Sequence, residues 1–235
     1  RVTAHLNATG LEWKFQDAIR GSALPGRPRE YNHTRRLLLE GKEMLPGEIG
    51  TFMSHRQAWQ ACLESKQLML ILEDDFQFQG DLKSLLETAW QYREEYDVLR
   101  LNGINRVGKF KVIRELGERK LVRMLRDPLG LAAYIMTPAA AAVLLEKSNP
   151  FHDPVDELVG HFWVHRLRIV SLYPFPFTTD GSPTTVPNRR ENRPQWAWYQ
   201  KLNAKWLKLG ISLSKRIYLA KLKHSLRACQ DGHGS

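Results

Sequence analysis

Hydrophobic positions along this chain alternate between short apolar runs and helical stripes. Residues 68–72, 97–101, 132–136 and 169–173 are short, mainly apolar runs. Runs of that length predict strands. Ahead of the first run residues 51–64 read as a helix, and between the first two runs residues 82–96 read as an amphipathic helix. Residues 139–147 form an Ala-rich helix opened by Thr137-Pro138, and residues 153–166 predict another helix. Proline suits a first helical turn, where its missing N–H would have no partner anyway. The segment 1–9 reads as the end of a helix with Gly10 beyond it, and 11–16 alternates like a strand. Residues 104–126 alternate basic and apolar, as in a hairpin, while 22–33, Pro46-Gly47 and 174–195 read as loops and turns. Strands interleaved with helices predict an α/β fold, with a mostly parallel sheet covered on both faces.

The run Leu70-Ile71-Leu72 ends abruptly in Glu73-Asp74-Asp75. A strand apolar on both faces belongs in the middle of a sheet, and its last residues reach the carboxyl edge where ligands bind. Three crowded carboxylates repel one another unless a cation neutralises them. Carboxylate oxygens suit Mg²⁺ or Mn²⁺, which complete their shells with substrate phosphates. The chemistry expected is a metal site that holds a phosphorylated donor. The plainer alternative is an acidic turn capping the next helix.

Composition narrows the class. The chain has 235 residues, 43% of them hydrophobic, enough for one large domain plus an appendage, and it holds no apolar run of membrane-spanning length. Cys62 and Cys229 lie too far apart in sequence for a metal-ligand motif, which fits a reducing compartment. The net charge of +10 is uneven: residues 1–191 hold 26 Lys and Arg against 24 Asp and Glu, whereas 192–228 hold nine basic residues and no acidic one. A basic appendage on a nearly neutral body argues against a nucleic-acid-binding domain.

Upstream of the acidic motif, Glu48-Ile49-Gly50-Thr51-Phe52-Met53-Ser54-His55 leads into a helix carrying Trp59 and Cys62. Gly50 allows close approach of a ligand, and the amides of a helix start favour phosphate. Ser54 and His55 could donate to a phosphate or a sugar hydroxyl, or serve as a cap and a core histidine.

Taken together, Glu48, Gly50, Ser54-His55 and Trp59, followed by Glu73-Asp74-Asp75, resemble glycosyltransferase family 25, the bacterial lipooligosaccharide galactosyltransferases and their collagen-modifying relatives. The resemblance continues through 97–101, the segment Gly130 to Tyr134, and Pro154-Val155-Asp156, and covers about 1–187. It implies a GT-A-like domain over 1–190 with a basic helical extension over 191–235. It also implies a UDP-sugar donor, most often UDP-galactose, a divalent metal at the acidic motif, and inversion at the anomeric carbon. Asp75 then corresponds to the metal ligand, with Glu73 as a second ligand, and Glu73 or Asp74 holds the ribose or a coordinated water. Glu48, Gly50, Ser54 and His55 fall at donor-binding positions. Asp156 matches the later acidic residue of the family and is the expected base, with His152, Asp153 and Glu157 around it. Relatives begin with a strand reading Ile-Asn-Leu, and this sequence, opening at Arg1-Val2-Thr3, is expected to start just after it.

In the tail, Trp196, Trp198, Tyr199, Trp206 and Tyr218 interleave with Lys and Arg. As a helix, it gathers all the basic residues from Lys201 to Arg227 except Lys221 within roughly 120°. Leu202, Trp206, Leu209, Leu213, Ile217 and Ala220 cluster on another side. Such a helix predicts an anionic membrane surface as partner, which suits a lipid-linked oligosaccharide acceptor at the inner face of the bacterial inner membrane; the plainer alternative is a helix packed on the domain with a solvated basic face. The competing readings are a non-catalytic, degenerate transferase whose tail binds polyanions, and a metal-dependent nucleotidyltransferase, which would release pyrophosphate instead of UDP.

Overall fold

The computed structural model describes residues 2–7, 9–78, 80–104, 109–125, 128–179 and 198–231. The first half carries helices α1 (Val2–Asn7), α2 (His33–Glu40), α3 (Pro46–Ser65) and α4 (Leu82–Gln91), with strands β1 (Met69–Leu72), β2 (Phe76–Phe78) and β3 (Val98–Arg100). The second half carries β4 (Phe110–Leu116), β5 (Arg119–Met124), β6 (Ala133–Met136), β7 (Ile169–Tyr173) and β8 (Phe177–Thr179). Its helices are α5 (Pro138–Lys147), α6 (Val155–Gly160), α7 (Phe162–His165) and α8 (Trp198–Asp231).

Six strands form the central sheet in the order β1-β6-β3-β7-β5-β4, and β2 pairs with β8 in a small second sheet. Strands β1, β3, β7 and β4 point one way, and β6 and β5 run against them, so β3 against β7 is the parallel pairing of this sheet. The fold is thus the expected α/β class, and its sheet, expected to be mostly parallel, is mixed, with four of its five pairings antiparallel. The period-2 alternation of β3 and β6 feeds two cores. Val98, Tyr134 and Met136 join Phe52, Trp59, Leu144 and Val159 on the face covered by α3, α5 and α6. Leu99, Ala133 and Ile135 join Leu85, Ala89, Tyr96 and Leu172 on the face covered by α4.

Several sequence expectations shift. Helix α3 begins at Pro46, so Pro46-Gly47 is its first turn and not a turn preceding it. Glu48 Oε2 accepts the Leu45 N–H at 2.8 Å, and this capping bond starts the helix early. Residues 11–16 form no strand; Leu11 and Phe15 are exposed, and Trp13 lies edge-on to Phe15. The alternation there has no partner strand to pair with. The helix over 153–166 breaks at His161 into α6 and α7. Strand β1, expected to be fully buried in mid-sheet, is half-buried and ends the strand order among the described residues. The hairpin within 104–126 is present as β4–β5. The expected loop over 174–195 contains β8, and from residue 180 it lies outside the described residues. The start of the expected tail, including Trp196, lies outside them as well.

Candidate active site

The acidic motif sits where the chain leaves the large sheet. Strand β1 pairs with β6 through Leu72 opposite Ala133, and the Glu73 N–H extends the ladder to the Ala132 carbonyl at 2.8 Å. The chain then turns at Asp74 and Asp75 and enters β2. Asp74 is exposed, while Glu73 and Asp75 are half-buried. The apolar run therefore delivers the three carboxylates to one sheet end, as its sequence predicts.

Helix α3 brings His55 to Glu73. The His55 Nε2 lies 3.1 Å from Glu73 Oε1, and Nδ1 lies 2.8 Å from the Tyr134 hydroxyl. Trp59 Nε1 donates to the same hydroxyl at 2.8 Å. A carboxylate only accepts, so Nε2 carries the proton that faces Glu73. In the neutral ring Nδ1 then accepts the Tyr134 O–H, and the chain of donors runs from Trp59 through Tyr134 and His55 to Glu73. His55, Trp59 and Tyr134 are buried. His55 is thus the core histidine that was one of its two expected roles, and it also orients a carboxylate of the acidic motif, a role the sequence did not suggest.

The remaining donor-site candidates on α3 engage the chain itself. Glu48 caps the helix. A Cβ at Gly50 would lie 2.3 Å from the Ile19 carbonyl oxygen and 2.6 Å from the Gly21 nitrogen, so the close approach this glycine permits is to the segment 19–21. Ser54 Oγ accepts the Ile19 N–H at 2.8 Å and donates to the Gly50 carbonyl at 2.9 Å. Gln16 Nε2 donates to the Ser54 carbonyl at 2.9 Å. These residues position the 16–21 loop against α3, one turn of helix before His55.

Across the motif, residues 130–132 link Glu73 to Asp156. Asp156 Oδ2 accepts the Gly130 N–H at 2.9 Å, and Oδ1 accepts the Glu157 N–H at 3.0 Å. The buried Arg100 guanidinium donates to the Gly130 carbonyl, and Asn102 Oδ1 accepts the Ala132 N–H at 3.2 Å. Gly130 has φ +83°, a conformation that favours glycine, and a Cβ there would collide with Ile104. Two residues beyond Gly130, the Ala132 carbonyl binds the Glu73 N–H. The expected base therefore stands beside the segment that flanks the acidic motif. Arg100 and Asn102 did not emerge from the sequence, although a charge inside the apolar run 97–101 was the available signal.

Around Asp156 lies a second ionisable group of side chains. The buried Arg36 binds Asp153 at 3.1 Å and Glu157 at 3.5 Å. Asp153 Oδ2 lies 3.4 Å from His152 Nε2 and 3.5 Å from His161 Nδ1. Burial pushes the Glu157 carboxyl up to about 7, and it lowers both His152 and His161. The neighbours expected around Asp156 are thus assembled at the start of α6.

Among the described residues, no three His, Cys, Asp or Glu side chains converge into a protein-only metal cage. The donor chemistry of the strand end nevertheless fits a divalent ion. Mg²⁺ and Mn²⁺ at nucleotide sites take one or two carboxylates and complete their shells with phosphate and water. Asp75 and Glu73 offer hard oxygen atoms of that kind at a sheet end.

The model of one protein family, glycosyltransferase family 25 (LPS biosynthesis protein), matches residues 1–159. That span contains the acidic motif, His55, the 130–132 segment and Asp156. No curated protein matches the chain.

Proposed function

The chain belongs to glycosyltransferase family 25, a family of LPS biosynthesis, and from that premise we propose that it moves a hexose from a UDP-sugar onto a lipooligosaccharide core. Galactose is the hexose proposed, transferred with inversion as by a β-galactosyltransferase. Family membership itself makes the protein a transferase with a sugar donor and an oligosaccharide acceptor.

In this reading Asp75 and Glu73 hold Mn²⁺ or Mg²⁺, and Asp74 meets the ribose. The ion, when bound, supplies positive charge against the diphosphate that departs. His55 fixes the Glu73 carboxylate in one orientation through its Nε2–H. Inversion by single displacement needs a base on the acceptor side, and Asp156 takes the acceptor hydroxyl proton. Each Asp156 oxygen accepts a backbone N–H and keeps a second lone pair for that proton. Glu48, Gly50 and Ser54 act on the donor pocket by holding the 16–21 loop.

One observation supports this reading most. The acidic strand end, the buried histidine bound to it and the later acidic residue converge on one sheet end, inside the span matched by the family. We place the enzyme in the cytoplasm, peripheral on the inner face of the bacterial inner membrane, where its acceptor is lipid-linked. No helix among the described residues is long and apolar enough to cross a membrane.

The test is product mass spectrometry with a panel of UDP-hexoses and a core oligosaccharide acceptor. The expected result is a hexose added to the acceptor with release of UDP, most with UDP-galactose. Release of pyrophosphate, or no turnover with any UDP-sugar, contradicts it.

A further inference from the structure

Among the described residues, helix α8 has two apolar faces, one docked on the domain and one exposed. The inner face docks through Tyr218, Lys215 and Leu222. The Tyr218 ring packs on Phe162 with centroids 5.6 Å apart, and its hydroxyl accepts from Arg123 Nη2 at 3.1 Å. Arg166 lies over the same ring, Lys215 lies 4.3 Å above Trp163, and Leu222 is buried. The outer face carries Trp198, Tyr199, Leu202, Trp206, Leu209, Leu213 and Ile217, all exposed. Trp198 is 77%, Trp206 64%, Leu209 56% and Leu213 57% accessible. At about 100° per residue, these seven fall within an arc of roughly 100°, opposite the docked face, along about 29 Å of helix.

Exposed aromatic and aliphatic side chains aligned on one helix face mark an interaction surface. The charge beside the stripe selects its partner. Lys201, Lys205, Lys208 and Arg216 border it along one edge, all exposed, and the sequence from 198 to 222 contains no Asp or Glu. A second copy brought face to face would set these basic rows near one another in an isologous contact, which repels. An anionic bilayer attracts them instead, while the two Trp rings suit its interface. A shallow apolar groove of about 310 Å³ between α7 and α8 (Trp163, Val164, Trp206, Leu207 and Ile211 among its walls) extends the apolar surface onto α7.

We propose that the outer face of α8 is an in-plane membrane anchor, with Trp198, Trp206, Leu209 and Leu213 in the headgroup–acyl boundary and Lys201, Lys205, Lys208 and Arg216 among anionic headgroups. The docked face joins this anchor to the transferase domain through packed side chains and not through a free tether, so it sets the height of the acidic site above the lipid. This rests on the proposed lipid-linked acceptor for its use, but its test does not need turnover.

The experiment is co-sedimentation of the full chain with vesicles of phosphatidylcholine alone, or with an equimolar share of phosphatidylglycerol. The wild type is expected to bind the anionic vesicles and to dissociate as salt rises. Leu209→Glu/Leu213→Glu removes the apolar insertion, and Lys201→Glu/Lys205→Glu/Lys208→Glu reverses the charge; each should lower binding by about a hundredfold. Circular dichroism checks that both variants keep their helix content, and turnover of a water-soluble acceptor, unchanged in both, is the separate readout of the sugar-transfer reading. Wild-type binding that is absent, equal on neutral vesicles, or unaffected by Leu209→Glu/Leu213→Glu overturns the anchor. So does a wild-type dimer that these substitutions split while leaving vesicle binding intact, since the face would then belong to a second copy.

Discussion

Replacing Tyr134 with Phe tests whether the buried network behind the acidic motif carries energy. The ring is fully buried, and its hydroxyl is the shared partner of Trp59 Nε1 and His55 Nδ1. The substitution keeps the ring and its packing, so the cost comes from polar groups left without partners. A buried donor or acceptor stranded in this way costs about 1–3 kcal/mol. Two of them give a loss of about 2–6 kcal/mol, a large share of the roughly 5–15 kcal/mol by which folded domains are stable. With a urea dependence near the upper end of about 1–3 kcal/mol per molar, the midpoint falls by about 1–2 M. The same change frees His55 to rotate, so Glu73 loses its fixed orientation and donor turnover should fall together with stability. Equilibrium urea unfolding and a UDP-release assay read the two effects. A loss below about 0.5 kcal/mol would show that the network is not the coupled unit described here.

Two further substitutions examine the surroundings of the site. Gly50→Ala places a Cβ 2.3 Å from the Ile19 carbonyl oxygen, so the 16–21 loop must move off α3; hydrogen exchange should show loss of protection at the Ile19 amide, and wild-type protection there would contradict the contact. Glu157→Gln addresses pH. Burial raises the Glu157 carboxyl from 4.5 to about 7, so the folded state keeps its proton where the unfolded state has released it. Its contribution to stability is then fullest below pH 4.5 and declines as pH rises towards 7. The Gln variant cannot ionise, so its melting temperature should gain on the wild type over that interval, and parallel curves would refute the assignment.

The parts of the fold that were legible in the sequence are those where local pattern and burial agree. Val98-Leu99-Arg100 and Ile169–Tyr173 lie in short, mainly apolar runs, and both are strands of the central sheet. Thr137-Pro138 announced α5, and the Thr137 hydroxyl caps it at the Ala140 N–H. Legibility failed where a distant partner decides the outcome. Residues 11–16 alternate like a strand, but no strand among the described residues pairs with them. The antiparallel direction of β6 depends on where the chain crosses over, which the apolar run Ala133–Met136 does not encode. In the site, Glu73-Asp74-Asp75 could be located from its strand, whereas Asp156 was reached only through the family resemblance at Pro154-Val155-Asp156. Gly50 and Ser54 were readable as residues of close approach and hydrogen bonding, yet their partner is the chain's own 19–21 segment, which pattern alone does not reveal. The contacts of Arg100 and Asn102 with the 130–132 segment stayed hidden because they span about thirty residues of sequence.

Calorimetric titration of UDP into the protein, with Mn²⁺ and then with excess chelator, probes the central claim most directly, with Asp75→Asn as the companion titration. The account predicts that UDP binds in the presence of the ion, and that either chelation or Asp75→Asn removes most of that binding. Equal UDP affinity with and without Mn²⁺, undiminished in Asp75→Asn, would contradict it.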